Sequence, residues 1–280
     1  MLKKILVANR GEIALRILRA CRELEIKTVV AHSTADNNEM FVRLADESVC
    51  IGPPQVKNSY LNIPSIISAA TIANVDAIHP GVGFLSENSN FAKIVNDHGF
   101  KFIGPKPEHI KMMSNKIEAK KIAKKIGLPI VPGNIKNVKS YNDAKQICKE
   151  IGYPVMIKAT NGGGGRGIKK VNTSENLKEI FFLAKKESEK NFGNDDVYIE
   201  KFVENPRHIE IQIMGDSKGN IIHIGERECS IQRRSQKIIE ECPSPAITNN
   251  ERNFLTNISL EAMKKIGYES LGTLEFLYSN

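Results

Sequence analysis

A lysine-bearing apolar segment runs directly into four consecutive glycines within residues 153–171, YPVMIKATNGGGGRGIKKV, and no other stretch restricts the local fold as tightly. Val155, Met156 and Ile157 favour a pleated strand, and residues 168–171 read as a second strand returning beside it. The glycines between them let backbone N–H groups approach an anion that any Cβ would hold away. The segment therefore reads as a hairpin covering a phosphate, with Lys158 supplying a charge beside it. Two better-known glycine patterns fail on context. Gly162, Gly164 and Gly167 satisfy G-x-G-x-x-G, but a dinucleotide fingerprint opens a helix, and a strand follows here. A Walker A loop needs lysine and then serine or threonine after its last glycine, and Ile168 stands in the lysine's place. A flexible glycine linker is the remaining alternative, against which the flanking strands and Lys158 argue.

A chain of 280 residues with 41% hydrophobic content suggests about two domains with real cores. Residues 1–8, MLKKILVA, imitate the opening of a signal peptide, but the apolar run stops at Asn9-Arg10, and no later run approaches a membrane span. A cytoplasmic location with no membrane association is the expectation. Cys21, Cys50, Cys148, Cys229 and Cys242 are odd in number and lack C-x-x-C spacing, so they read as reduced thiols. The net charge of +8 is spread over interleaved lysines and acids with sparse aromatics, which argues against nucleic acid. A solvated lysine-rich surface is expected, with some charge kept for phosphate.

Strand and helix patterns alternate through the first hundred residues: strands at 4–8, 28–32, 77–79 and 100–103, helices around 13–24, 63–73 and 90–97. Such alternation predicts an open parallel sheet, ending near Gly104-Pro105. A lysine-rich helical stretch at 107–125 leads to a Pro/Gly-punctuated boundary at 127–133. Helices around 141–151 and 174–190, a strand at 197–202, paired antiparallel strands at 207–214 and 220–226, a helix near 250–266 and a strand near 272–277 follow.

Several residues then invite chemistry, each with a plainer alternative. Lys116, within SNKIEAKK, reads from its letters as an exposed helix lysine. Residues 200–203 end an apolar strand and read equally as a sheet edge with snorkelling charges. The run Gln232-Arg233-Arg234-Ser235-Gln236-Lys237 is either a cationic site or a solvated charged turn. Glu275, in GTLEFLYS, is a carboxylate in an apolar strand; it either points outward or demands a partner, commonly a metal.

Taken in order, KILVANRGEIALRI at 4–17, HPGVGFLSEN at 79–88, the glycine segment, and ERECSIQRRSQKIIEECPSP at 226–245 resemble the biotin carboxylase component of biotin-dependent carboxylases, a branch of the ATP-grasp superfamily, along the whole chain. The resemblance implies an α/β N-terminal domain with an open, Rossmann-like parallel sheet over 1–113, a linker helix region at 114–130, an ATP-grasp lid with the glycine hairpin at 131–203, and an incomplete C-terminal ATP-grasp domain at 204–280. It implies that Lys116 and Lys158 contact phosphate oxygens and that Gly164 and Gly165 offer backbone donors. Glu200, Lys201, Phe202 and Val203 would line the adenine mostly through main-chain groups, while His208, Gln232 and Ser235 contact the nucleotide. Ser235 departs from the family's histidine at that place, and Val82 from a frequent aromatic in the loop bearing Gly81, Gly83 and Glu87. Lys237 becomes the catalytic candidate, near bicarbonate and the transferring phosphoryl group. Glu275 would bind the nucleotide's Mg²⁺ or Mn²⁺, and Cys229 is left as a packing residue.

The implied reaction is ATP- and bicarbonate-dependent carboxylation of carrier-bound biotin, the first half-reaction of acetyl-CoA carboxylase. Its partners would be a biotin carboxyl carrier protein and a carboxyltransferase, with a homodimer when the protein is full length. Pyruvate, acyl-CoA or urea carboxylase is the alternative within the family; a catalytically incomplete ATP-binding or interaction fragment is the alternative outside it. Family residues beyond Glu275, among them a second metal carboxylate, have no counterpart in the 280 residues, so a fragment of a longer protein is expected.

Overall fold

The computed structural model describes residues 2–160, 167–233 and 236–279. The chain divides into two compact units, Met1–Lys111 and Met112–Asn280. The first contains β1 (Lys4–Val7), α1 (Gly11–Glu23), β2 (Lys27–Ser33), α2 (Met40–Leu44), β3 (Glu47–Gly52), α3 (Ile63–Ile72), β4 (Ala77–His79), α4 (Ser89–Asp97) and β5 (Lys101–Phe102). These strands form one parallel sheet in the order β3-β2-β1-β4-β5. Alternate residues of β1 feed two cores, as a sheet covered on both faces requires. Ile5 and Val7 join Ala14, Ile17 and Leu18 of α1, whereas Leu6 packs with Ile66 of α3 and Phe91 of α4.

The loop after β4 is held from two sides. The Asn9 side-chain amide donates to the carbonyls of Pro80 (2.8 Å) and Val82 (2.9 Å). Phe84 stacks on Tyr60 at 5.0 Å, and the Tyr60 hydroxyl donates to buried Asp36 at 2.6 Å. Burial works against the charge on Asp36, but hydrogen bonds from Arg10, Tyr60 and Ser33 outweigh it and bring the carboxyl down to about 2.

The second unit begins within α5 (Pro107–Ser114) and continues through α6 (Lys116–Ile126), α7 (Tyr141–Ile151), β6 (Val155–Ala159), β7 (Ile168–Val171), α8 (Leu177–Phe192) and β8 (Val197–Lys201). Strands β7-β6-β8 make a small antiparallel sheet. Its inward residues Val155, Ile157, Val171, Val197 and Ile199 meet Ala144 and Cys148 of α7 and Phe181 and Ala184 of α8. Then come β9 (Arg207–Gly215), β10 (Ile221–Arg233), β11 (Gln236–Glu241), α9 (Asn249–Ile266) and β12 (Ser270–Tyr278), with an antiparallel sheet ordered β11-β10-β9-β12.

The parallel and antiparallel sheets match the predicted architecture, and β6 and β7 form the expected hairpin arms. The glycine run between them, Gly164 and Gly165 included, lies outside the described residues, as does Ser235. Three elements escape the sequence reading. Helix α2 has only five residues, β3 reads ESVCIG without a clean alternation, and all six residues of β11 are exposed, so none carries a strong hydrophobic period. Strand β10 extends past the predicted 226 to Arg233. All five cysteines are free, and no helix among the described residues is long and apolar enough to cross a membrane.

Candidate functional site

In the small sheet, Lys158 lies on β6 one residue ahead of Ala159, at the base of the hairpin. Gly167 closes the described base on the other arm, where φ is +70° and a Cβ would come 2.9 Å from Ala159 Cβ and 3.1 Å from Phe192 Cε2. Only glycine fits there without a shift. Lys116, exposed as its letters suggest, opens α6, and its backbone N–H donates to the Thr160 carbonyl at 3.3 Å, which brings it to the same hairpin base. The Asn115 side chain caps that helix by accepting from the Ile117 and Glu118 amides.

Glu200 differs from its sequence reading. Its side chain does not snorkel but is 6% exposed. One oxygen accepts from Lys120 at 2.6 Å, and the other is paired with Lys158. Burial raises the carboxyl pKa, but the neighbouring ammonium groups of Lys158 and Lys120 outweigh it and keep it below the ordinary glutamate value. Two ammoniums against one carboxylate leave an excess positive charge. The adjoining backbone is partly engaged: the amides of Lys201 and Phe202 donate to the carbonyls of Pro132 (2.7 Å) and Pro154 (3.1 Å). Lys201 extends its ammonium to the Gly152 and Tyr153 carbonyls, Phe202 packs its ring under the Lys170 ammonium at 3.9 Å, and Val203 is half-buried.

The larger sheet separates its chemistry by face. Ile209, Ile211 and Ile213 of β9 are fully buried, the latter two packing with Ala262 and Met263 of α9; the alternate residues His208, Glu210 and Gln212 point to the other face. Register then places Arg227 of β10, Glu210 of β9 and Glu275 of β12 side by side. Lys237, on β11, donates to Glu275 Oε1 at 2.6 Å and also pairs with Glu210. Arg227 donates from Nε to Glu210 Oε1 at 2.5 Å and from Nη1 to Gln212 at 3.0 Å, and it lies 3.4 Å from Glu240. Glu210, only 4% exposed, is thus the carboxylate on which both cations converge.

Burial opposes charge on Lys237, yet its bonds to Glu210 and Glu275 hold the ammonium above the usual lysine range. Burial likewise opposes charge on Glu210, and Lys237 and Arg227 reverse that. His208 is pulled below the ordinary histidine value, chiefly by burial, and feels Glu275 and Lys237 of its own sheet as well as Lys158 of the small one. Gln232 donates to the Cys229 carbonyl at 2.8 Å. Cys229 is buried, and burial with nearby Glu210 pushes its thiol up to about 11, which removes a thiolate nucleophile at neutral pH. Glu210, Cys229 and Glu240 lie close enough to share a cation, but Lys237 and Arg227 already occupy Glu210.

Among the described residues, three carboxylates, Glu210, Glu240 and Glu275, face two cations here, an excess of negative charge. Glu275 is 63% exposed at its side chain and presents a carboxylate oxygen beyond the one Lys237 holds. That donor suits one position of a Mg²⁺ ion whose other ligands are phosphate and water oxygens. Glu210, Arg227 and Lys120 were missed from the sequence. Glu210 carried the same signal as Glu275, a lone acid between isoleucines in RHIEIQIM, whereas Lys120 is one lysine among several on α6 and only tertiary packing distinguishes it.

Residues 1–110 match the family model of the biotin carboxylase N-terminal domain, and residues 115–280 that of the carbamoyl-phosphate synthase L chain ATP-binding domain. A biotin carboxylase from Nostoc sp. is 54% identical over 98% of this chain. The biotin carboxylase β-γ-ATP complex from Campylobacter jejuni superposes with a TM-score of 0.97 at 48% identity over all of this chain. The biotin carboxylase domain dimer of the Hydrogenobacter thermophilus 2-oxoglutarate carboxylase, solved with MgADP, ADP and bicarbonate, gives a TM-score of 0.94 at 46% identity over 99% of it. The chain spans 61% of the Nostoc enzyme, 63% of the Campylobacter chain and 61% of the Hydrogenobacter chain. With its parallel first unit, its hairpin-bearing second unit and both family models in sequence, the chain belongs to the biotin carboxylase family of ATP-grasp proteins.

Proposed function

We propose that the whole protein catalyses ATP- and bicarbonate-dependent carboxylation of biotin held on a carrier protein, as the cytoplasmic first half-reaction of an acetyl-CoA carboxylase that supplies fatty acid synthesis. The observation that carries this reading is the clamped ammonium of Lys237, held by Glu210 and Glu275 on the open face of the antiparallel sheet. A fixed cation there lowers the free energy of negative charge developing as bicarbonate attacks the γ-phosphorus of ATP and ADP leaves, giving carboxyphosphate. Lys116 and Lys158 neutralise the triphosphate, Gly164 and Gly165 supply backbone donors, and Glu200 to Val203 line the adenine. His208, Gln232 and Ser235 lie along the nucleotide. Glu275 would hold Mg²⁺, which neutralises phosphate charge when bound.

The segment 131–203 acts as a lid, after a linker at 114–130 and before the catalytic sheet of 204–280; residues 1–113 form the N-terminal domain. Closure keeps water from a labile intermediate. The carrier and a carboxyltransferase are the partners, and the full-length protein pairs as a homodimer. The test is bicarbonate-dependent ATP hydrolysis by the native full-length polypeptide with free biotin added: turnover that requires both bicarbonate and biotin supports the reading, and hydrolysis indifferent to bicarbonate contradicts it.

A further inference from the structure

The small-sheet site contains one more cation than the phosphate role of Lys158 requires. Lys120 projects from α6 and is 15% exposed at its side chain. Its ammonium donates to Glu200 Oε2 at 2.6 Å and to the Val131 carbonyl at 3.3 Å, and it lies 5.3 Å from the centre of the Tyr198 ring. It is therefore anchored on three sides. Lys158 uses the other carboxylate oxygen, Oε1, so each lysine has its own acceptor, and among the described residues Glu200 is the ion-pair partner of Lys158.

This division matters because Glu200 is buried. Were Lys158 its only cation, the departure of Lys158 toward a phosphate would leave a carboxylate unpaired in a dry site, a cost that would hold Lys158 back. With Lys120 in place the carboxylate remains paired throughout. We infer that Lys120 is a positioning residue for the nucleotide, keeping Glu200 satisfied so that Lys158 can exchange its carboxylate for a phosphate oxygen of ATP. The inference rests on the nucleotide reading proposed above. The Lys120–Glu200 pair stays fixed while Lys158 alternates between two anions, and the excess positive charge of the trio attracts the second anion.

Isothermal titration of ATP, and of adenosine as a phosphate-free probe, into the full-length protein separates the possibilities. Lys158→Met should weaken ATP binding at least tenfold and leave adenosine unchanged; retained ATP affinity would overturn the phosphate role of Lys158 and the inference with it. Lys120→Met should weaken ATP roughly tenfold, within the range of coupling between contacting charged residues, again without effect on adenosine. Adding Glu200→Gln to Lys120→Met should raise ATP affinity above that of Lys120→Met alone, because no buried charge then retains Lys158, and Lys120→Arg should preserve wild-type affinity. Unchanged ATP affinity in Lys120→Met, equal loss of adenosine, or a double variant as weak as the single one would overturn the role of Lys120. Should Lys120→Met not fold, Lys120→Gln, which removes the charge but can still donate to Glu200, decides: a loss of ATP affinity with adenosine unchanged sustains the inference, and wild-type ATP affinity overturns it.

Discussion

The small sheet and the larger sheet of the second unit build their sites from the same two side-chain types in opposite proportion. At Glu200 two ammoniums share one buried carboxylate; at Glu210, Glu240 and Glu275 three carboxylates face Lys237 and Arg227. The first arrangement is short of an anion and the second of a cation. Under the proposed function a magnesium polyphosphate would satisfy both, with phosphate oxygens at the lysines and the metal at Glu275. Lysines of similar appearance in the sequence thereby acquire different duties: Lys158 is free to change partners, whereas Lys237 is gripped from two sides.

The largest expected effect breaks the grip. Glu210→Ala removes the shared partner of Lys237 and Arg227 and leaves two partly buried cations facing each other, so it should cost about 3 kcal/mol of stability in chemical denaturation. Glu275→Ala removes only an exposed partner and should cost under about 1 kcal/mol. Equal costs would dissolve the distinction between a buried anchor and an exposed partner.

Acid should weaken both sites. The carboxyls of Glu200 and Glu210 are held below the ordinary glutamate value, so the stability they contribute is fully present above the unfolded value of 4.5 and is lost as pH falls through their lower folded values. In the first unit, Asp36 falls from 3.8 to about 2 and should add about 2 kcal/mol, lost between about pH 4 and pH 2. Asp36→Asn should flatten that part of the curve in a urea titration repeated across pH.

The smallest effect is the most discriminating. His208 senses both charge sets, and its titration, followed by imidazole NMR, should have a midpoint below 6.5. Lys158→Met should raise that midpoint, because a nearby cation is lost, and Glu275→Gln should lower it further. A midpoint insensitive to Lys158 would show that the small sheet does not approach His208 in solution.

Much of this architecture was legible in the residues. The alternation of strands and helices before Gly104 specified a parallel sheet, and the hydrophobic arms of 155–157 and 168–171 specified the hairpin, because period and glycine placement act locally. Glu275 stood out because a charge between apolar neighbours needs a reason, and the same rule applied to Glu210 would have found it. Lys120 and Arg227 were not legible. Lysines at 120, 121, 124 and 125 look alike along α6, and only the approach of β8 makes Lys120 the one that meets Glu200. The apposition of Lys237 with Glu210 and Glu275 depends on a hairpin and a strand register that join residues 27 and 38 positions apart.

The most direct test of a gripped catalytic cation is Lys237→Ala in the full-length protein, with ATP affinity and bicarbonate-dependent hydrolysis measured on the same preparation. Loss of roughly a hundredfold or more in kcat, with ATP affinity within a few-fold of wild type, is the predicted result. Undiminished kcat, or a loss confined to ATP affinity, would contradict the assignment of the chemistry to the larger sheet.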